Sequence, residues 1–127
     1  MSDRELLELA AKAAGYEFLY FEPYADGSQG EYLRVKGIQT RWNPLTDDGD
    51  ALRLAVEKRF GIKDFAPHDT PEISQVPPDS DKWGMVEIWR EDDDDPIYVE
   101  WYKAGADRYA ATRRAIVRAA AATLGKA

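Results

Sequence analysis

"MVEIWREDDDDPIYVEWYK", Met85 to Lys103, decides what kind of fold this chain can adopt. Its two arms, "MVEIWRE" (85–91) and "IYVEWYK" (97–103), are rich in β-branched and aromatic residues that alternate with polar ones, and they flank an acidic "DDDDP" turn. Such a pattern predicts an antiparallel hairpin. Alternation groups Val86, Ile88, Ile97, Val99 and Trp101 on one face and Glu87, Trp89, Tyr98, Glu100 and Tyr102 on the other.

Working outward, the same layout occurs earlier in the chain. "YEFLYFE" (16–22) and "EYLRVKG" (31–37) alternate around "PYADGSQG", whose Pro, Asp, Gly and Ser are turn formers. Here Leu19, Phe21, Leu33 and Val35 are grouped on one face. The two hairpins are expected to join edge to edge as one four-stranded antiparallel sheet.

Three helical segments surround these strands. "SDRELLELAAKAAG" places Ser2 three residues before Glu5, a capping-box spacing, followed by Leu6, Leu9, Ala10 and Ala13 at helical period and Gly15 as a stop. In "WNPLTDDGDALRLAVEK" (42–58), Asn43-Pro44 breaks the chain, Thr46 or Asp47 can cap, and Leu52, Ala55, Val56 and Phe60 recur at helical spacing up to Gly61. The alanine-rich "DRYAATRRAIVRAAAATLG" (107–125) is the last helix, with Tyr109, Thr112, Ile116, Ala120 and Leu124 along one face. Between them, 62–84 holds several prolines and no steady period, which predicts a long loop with a short edge strand near Glu72 to Val76. The expected architecture is a single α+β domain over 1–127, an α-β-β-α-loop-β-β-α sandwich in which the four-stranded sheet is layered with three helices.

"NPLTDDGDALRLAV", together with "DRYAATRRAIVRAA", resembles the corresponding segments of the phage ABA sandwich domain family, small phage and prophage proteins. That resemblance implies a layered α/β fold and a phage origin. It brings no activity and no catalytic residues.

Composition limits the chemistry. The 127 residues include no cysteine and one histidine, which excludes thiolate nucleophiles and thiolate metal sites and makes a structural zinc site untenable. A net charge of -7 opposes binding to duplex nucleic acid, where affinity comes from cations neutralising phosphates. No apolar run is long enough to span a membrane, and Met1 to Leu7 lacks the pattern of a signal peptide, so no membrane association and a host bacterial cytoplasm are expected. Neither standard phosphate loop nor Gly-x-Ser-x-Gly elbow occurs. His68, beside Asp69, reads as a loop histidine.

Asp47, Asp48 and Asp50 could serve a hard cation in a metal-dependent hydrolase, but their place in a first helical turn is explained by capping and the helix dipole. The best ligand-binding candidate is the aromatic and basic group Tyr20, Tyr32, Arg34, Arg41 and Trp42, since rings that stack on a base and arginines that hold phosphate suit a small nucleotide signal. The competing explanation for these rings is half-buried sheet packing. With no catalytic set, no cofactor and no metal site expected, the leading expectation is a non-enzymatic phage or prophage accessory protein. It would act by binding a host protein or by self-association, in a counter-defence setting, with a nucleotide sponge as the alternative.

Overall fold

The computed structural model describes residues 2–23, 29–35, 38–66, 83–91 and 94–124, and of residues 18–41 it describes the backbone only. The elements run α1 (Asp3–Ala13), β1 (Glu17–Pro23), β2 (Gln29–Val35), β3 (Ile38–Trp42), α2 (Asp48–Glu57), β4 (Phe60–Phe65), β5 (Trp83–Arg90), β6 (Tyr98–Lys103) and α3 (Arg108–Leu124). His68, the expected edge strand at 72–76 and Asp92 and Asp93 of the acidic turn lie outside the described residues.

The expected four-stranded sheet is not formed. The strands make two separate three-stranded antiparallel sheets, ordered β1-β2-β3 and β4-β5-β6. Each hairpin acquires a third strand from a segment without clean alternation. β3 ("IQTRW") runs straight into the Asn43-Pro44 break, and β4 ("FGIKDF") mixes apolar, charged and glycine positions. β4 is mostly exposed along its length, so burial never imposed a period-two pattern on it.

The register of the second hairpin also differs from the expected grouping. Val86 pairs with Glu100 and Ile88 with Tyr98, whereas Met85 pairs with Trp101 and Glu87 with Val99. Val86 and Ile88 therefore share a face with Tyr98, Glu100 and Tyr102, while Val99 and Trp101 lie on the opposite face with Met85 and Glu87. Side chains alternate with a period of two, so an offset of one residue across the turn reassigns every position on the second strand. In the first hairpin, Phe18 pairs with Leu33 and Tyr20 with Tyr32, which leaves Leu19 at an irregularity.

The helices are defined by local chemistry. Ser2 Oγ accepts the Glu5 N–H at 3.2 Å, and Asp47 Oδ2 accepts the Asp50 N–H at 2.8 Å. Asp107 Oδ1 accepts the N–H groups of Tyr109 and Ala110. Each cap satisfies donors that a first helical turn cannot pair internally. α2 ends differently from the expected stop at Gly61: Arg59 takes φ 57°, the left-handed conformation usually left to glycine, and β4 starts at the next residue.

α3 is the centre of the packing and contacts α1, α2, β5 and β6. Its buried side are Ala111, Ala115, Ile116, Val117, Ala119 and Ala120. The alanines keep the helix surface low, so α1, with Ala10 and Ala11 fully buried, can pack closely against it. Leu54, Val86, Ile88 and Val117 are fully buried where α2, α3 and β5 meet. The buried stripes are rotated from the expected ones: α1 buries Leu6, Leu7, Ala10 and Ala11, and α2 buries Ala51, Leu54 and Ala55. Among the described residues no helix is long and apolar enough to cross a membrane.

Candidate functional site

The three aspartates at the start of α2 are each engaged in structure. Asp47 caps the helix; Asp48 meets Arg113 of α3 at 2.7 Å; and Asp50 Oδ2 accepts the Asn43 N–H at 2.9 Å while its Oδ1 receives Arg53 at 3.1 Å. Burial raises the Asp50 carboxyl above its ordinary value, with the Asn43 N–H and Arg53 pulling the other way. The Asn43 side chain accepts from the Leu45 N–H, and Arg113 Nε donates to the Leu45 carbonyl at 2.9 Å. These bonds lock the Trp42–Asp50 turn against α3. Among the described residues no group of three His, Asp or Glu side chains converges as a metal cage would require.

A second polar network joins α3 to β6. Glu100 is buried to 7 % exposure and its carboxylate receives Arg118 at 3.0 Å on both oxygens, Arg114 at 3.6 Å and the Tyr98 hydroxyl at 2.7 Å. Nearby, the Tyr102 hydroxyl lies 3.0 Å from Asp64 Oδ1 and 3.2 Å from the Phe65 carbonyl, and Arg108 grips Asp64 Oδ2 through two nitrogens. Burial first, and then the adjoining carboxylates, raise the Tyr98 and Tyr102 phenols above their ordinary value. Every group in these networks binds another element of the fold, so their role is to hold α3 on the sheet.

Of the expected ligand-binding group, the backbone register brings Tyr20, Tyr32 and Arg41 into one cross-strand row, because Tyr32 is the partner of both of the others. Arg34 follows two positions along β2, opposite Glu17 and Gln39. The side chains of these four lie outside the described residues. Trp42 has the alternate parity from Arg41 and is only 4 % exposed, packed edge-on to Tyr16 with ring centroids 5.9 Å apart. Among the described residues its buried indole N–H has no hydrogen-bond partner. Trp42 thus belongs to the core, where it ties the end of the first sheet to the helices.

The exposed feature is apolar, and it includes Leu52, Val56 and Tyr109, which helical spacing places on the apolar stripes of their helices. Leu52 and Val56 on α2, Ile62 on β4 and Tyr109 on α3 are 62 %, 68 %, 40 % and 68 % exposed. Leu52, Ile62 and Tyr109 line a groove of about 390 Å³ between α2, β4 and the start of α3, with Asp64, Thr112 and Ile116 among the remaining walls. On the other side of the Leu52 ridge, Val56, Tyr16 and Arg53 border a second depression of about 470 Å³. One signal was present in the sequence: α2 carries Ala51, Leu52, Leu54, Ala55 and Val56, more apolar surface than one helical stripe can bury.

No family model, no curated protein and no solved structure matches this chain.

Proposed function

We propose that the chain is a non-enzymatic phage or prophage accessory protein that acts by binding a protein partner in the host bacterial cytoplasm. The observation that carries the binding reading is the clustering of Leu52, Val56, Ile62 and Tyr109 in the open on one flank. Large apolar side chains scattered singly over a surface need no explanation, but several gathered beside a groove mark an interaction site. The ionisable side chains around that flank support the same reading, since Asp48, Asp64, Arg108 and Arg113 are consumed in pairs that hold the walls together. The phage setting is supported by the likeness of the 43–56 segment and the last helix to phage ABA sandwich proteins, and a counter-defence role accords with that setting.

The test compares the native chain with Leu52→Asp and Tyr109→Ser as baits in host lysate, alongside sedimentation of each. Both positions are exposed, so the variants keep the native melting temperature. A partner retained by the native chain and lost by both variants is the expected result. Identical recovery by all three baits, with monomeric sedimentation throughout, defeats the proposal.

A further inference from the structure

We propose that the outward side of α2 is the contact surface between two copies of this chain, which pack it antiparallel about a twofold axis. The inference rests on the binding reading above and identifies the partner at that flank as a second copy.

α2 buries only Ala51, Leu54 and Ala55. At 3.6 residues per turn its outward side consists of two rows, one of Asp48, Leu52 and Val56 and one of Gly49, Arg53 and Glu57. All five side chains in these rows are exposed. The helix stands as a ridge between two depressions, one shared by Leu52 with Tyr109 and the other by Arg53, Val56 and Glu57 with Tyr16. Nothing described overhangs it, so a second ridge can be laid against it.

The order of residues in the rows selects the occupant. A twofold axis perpendicular to the plane of two antiparallel helices sets each row against its own copy, reversed in direction, so that residue i meets j and j meets i. Leu52 then packs on Val56 of the partner subunit, and Arg53 faces Glu57 of the partner subunit, each contact occurring twice. Parallel copies would instead set the apolar row against the charged one. The surface that complements α2 is therefore α2 run backwards, with apolar residues covering each other and each charge meeting its opposite.

The charges needed are available. Among the described residues the ion pairs leave Glu57 without a cation. Arg53 gives one nitrogen, Nη1, to Asp50 at 3.1 Å and keeps 71 % of its side chain exposed, a surface pair weak enough to be shared with a second acid. Asp48, at the outer end of the apolar row, is already held by Arg113 and adds no free charge to the seam. Two helical turns with Tyr109 beside them cover less than the roughly 800 Å² per partner of a stable complex, so the dimer is a weak one.

The experiment is sedimentation velocity from about 10 µM to about 1 mM, the range that resolves weak association. The native chain, Leu52→Asp, Arg53→Glu, Glu57→Arg and an equimolar mixture of the last two are compared, with a melting curve for each. The native chain is expected to dimerise as concentration rises. Leu52→Asp breaks the apolar row, and each charge reversal leaves only like charges across the second row, so all three are expected to associate at least about ten-fold more weakly. In the mixture every acid again faces a base, and association is expected to return to within about three-fold of the native chain. That recovery is specific to the antiparallel pairing, and a misfolded variant cannot produce it. A native chain that stays monomeric throughout, association indifferent to Leu52→Asp or to the charge reversals, or a mixture no stronger than its components would each overturn the proposal. A lysate partner that requires Leu52 and Tyr109 while the native chain stays monomeric would also overturn it and leave the binding reading standing.

Discussion

The ring of Tyr102 fills the space that a Cβ on Gly84, its cross-strand partner, would need. The ring cannot easily withdraw, because its hydroxyl is tied to Asp64 and to the Phe65 carbonyl on β4. One glycine thus lets β6 reach across β5 to brace β4. Gly84→Ala is expected to lower stability by about 1–3 kcal/mol, the usual cost of overpacking a filled site. Urea unfolding monitored by tryptophan fluorescence measures it, and an unchanged midpoint would show that the ring rearranges freely.

Tyr102→Phe probes the same brace through pH. The phenol is raised by burial and by Asp64, so the folded state keeps its proton where the unfolded chain has begun to lose it. Stability from this group is complete below the ordinary tyrosine range and falls as pH rises through the elevated value. Tyr98 and Tyr16 are raised as well and act in the same direction. The native protein should therefore lose stability above about pH 10, and Tyr102→Phe should show a shallower decline in melting temperatures measured across that range.

Glu100 is the acid whose removal should cost most. Arg118, Arg114 and the Tyr98 hydroxyl all converge on it beneath α3. Its carboxylate is nearly buried while both arginines are about half exposed, so the loss on Glu100→Ala is discounted from a fully buried pair to about 2–3 kcal/mol. Glu100→Gln keeps the shape and an acceptor and should cost less. A loss confined to Glu100→Ala, with Glu100→Gln unchanged from the native protein, would indicate that packing, not charge, holds the helix.

Asp47 and Asp50 separate the capping and metal readings of the same short stretch. Asp47→Ala removes the α2 cap and should cost about 1 kcal/mol. Magnesium or calcium should leave the native melting curve unmoved. Asp50→Asn retains an acceptor for the Asn43 N–H and removes a carboxylate that burial disfavours. A raised carboxyl contributes stability that is full below the unfolded value near about 4 and is lost as pH rises through the folded one. Asp50→Asn should then equal or exceed the native protein at neutral pH and lose that advantage below about pH 4. A cation-dependent rise in native stability that vanishes in both variants would restore the metal reading.

The legible parts of this fold were those encoded locally. Ser2 with Glu5, and Asp47 ahead of a run of apolar residues, mark helix starts because a cap needs only its own neighbours. Strand identity in 85–91 and 97–103 was legible for the same reason. What was not legible was set between elements. β4 gives no alternating signal because most of it faces water, and the pairing of Val86 with Glu100 is fixed by a turn whose register the composition does not reveal. Glu100 is grouped by alternation on the aromatic and charged face of its hairpin, but nothing local to it shows that Arg118 of α3 meets it there. The exposure of Leu52 and Val56 depends on which side of α2 meets α3, a property of the assembled core. Trp42, placed by its residue type in a ligand group, is packed into that core instead.

Arg59 occupies its left-handed conformation as the sole joint between Lys58, which caps α2, and Phe60, the first residue of β4. With no slack on either side of that joint, a displacement of the strand is transmitted to the helix as through a crank. Lengthening the joint by inserted glycines would uncouple the two, leaving each wall of the crevice to drift independently and turning a rigid crevice into a compliant one.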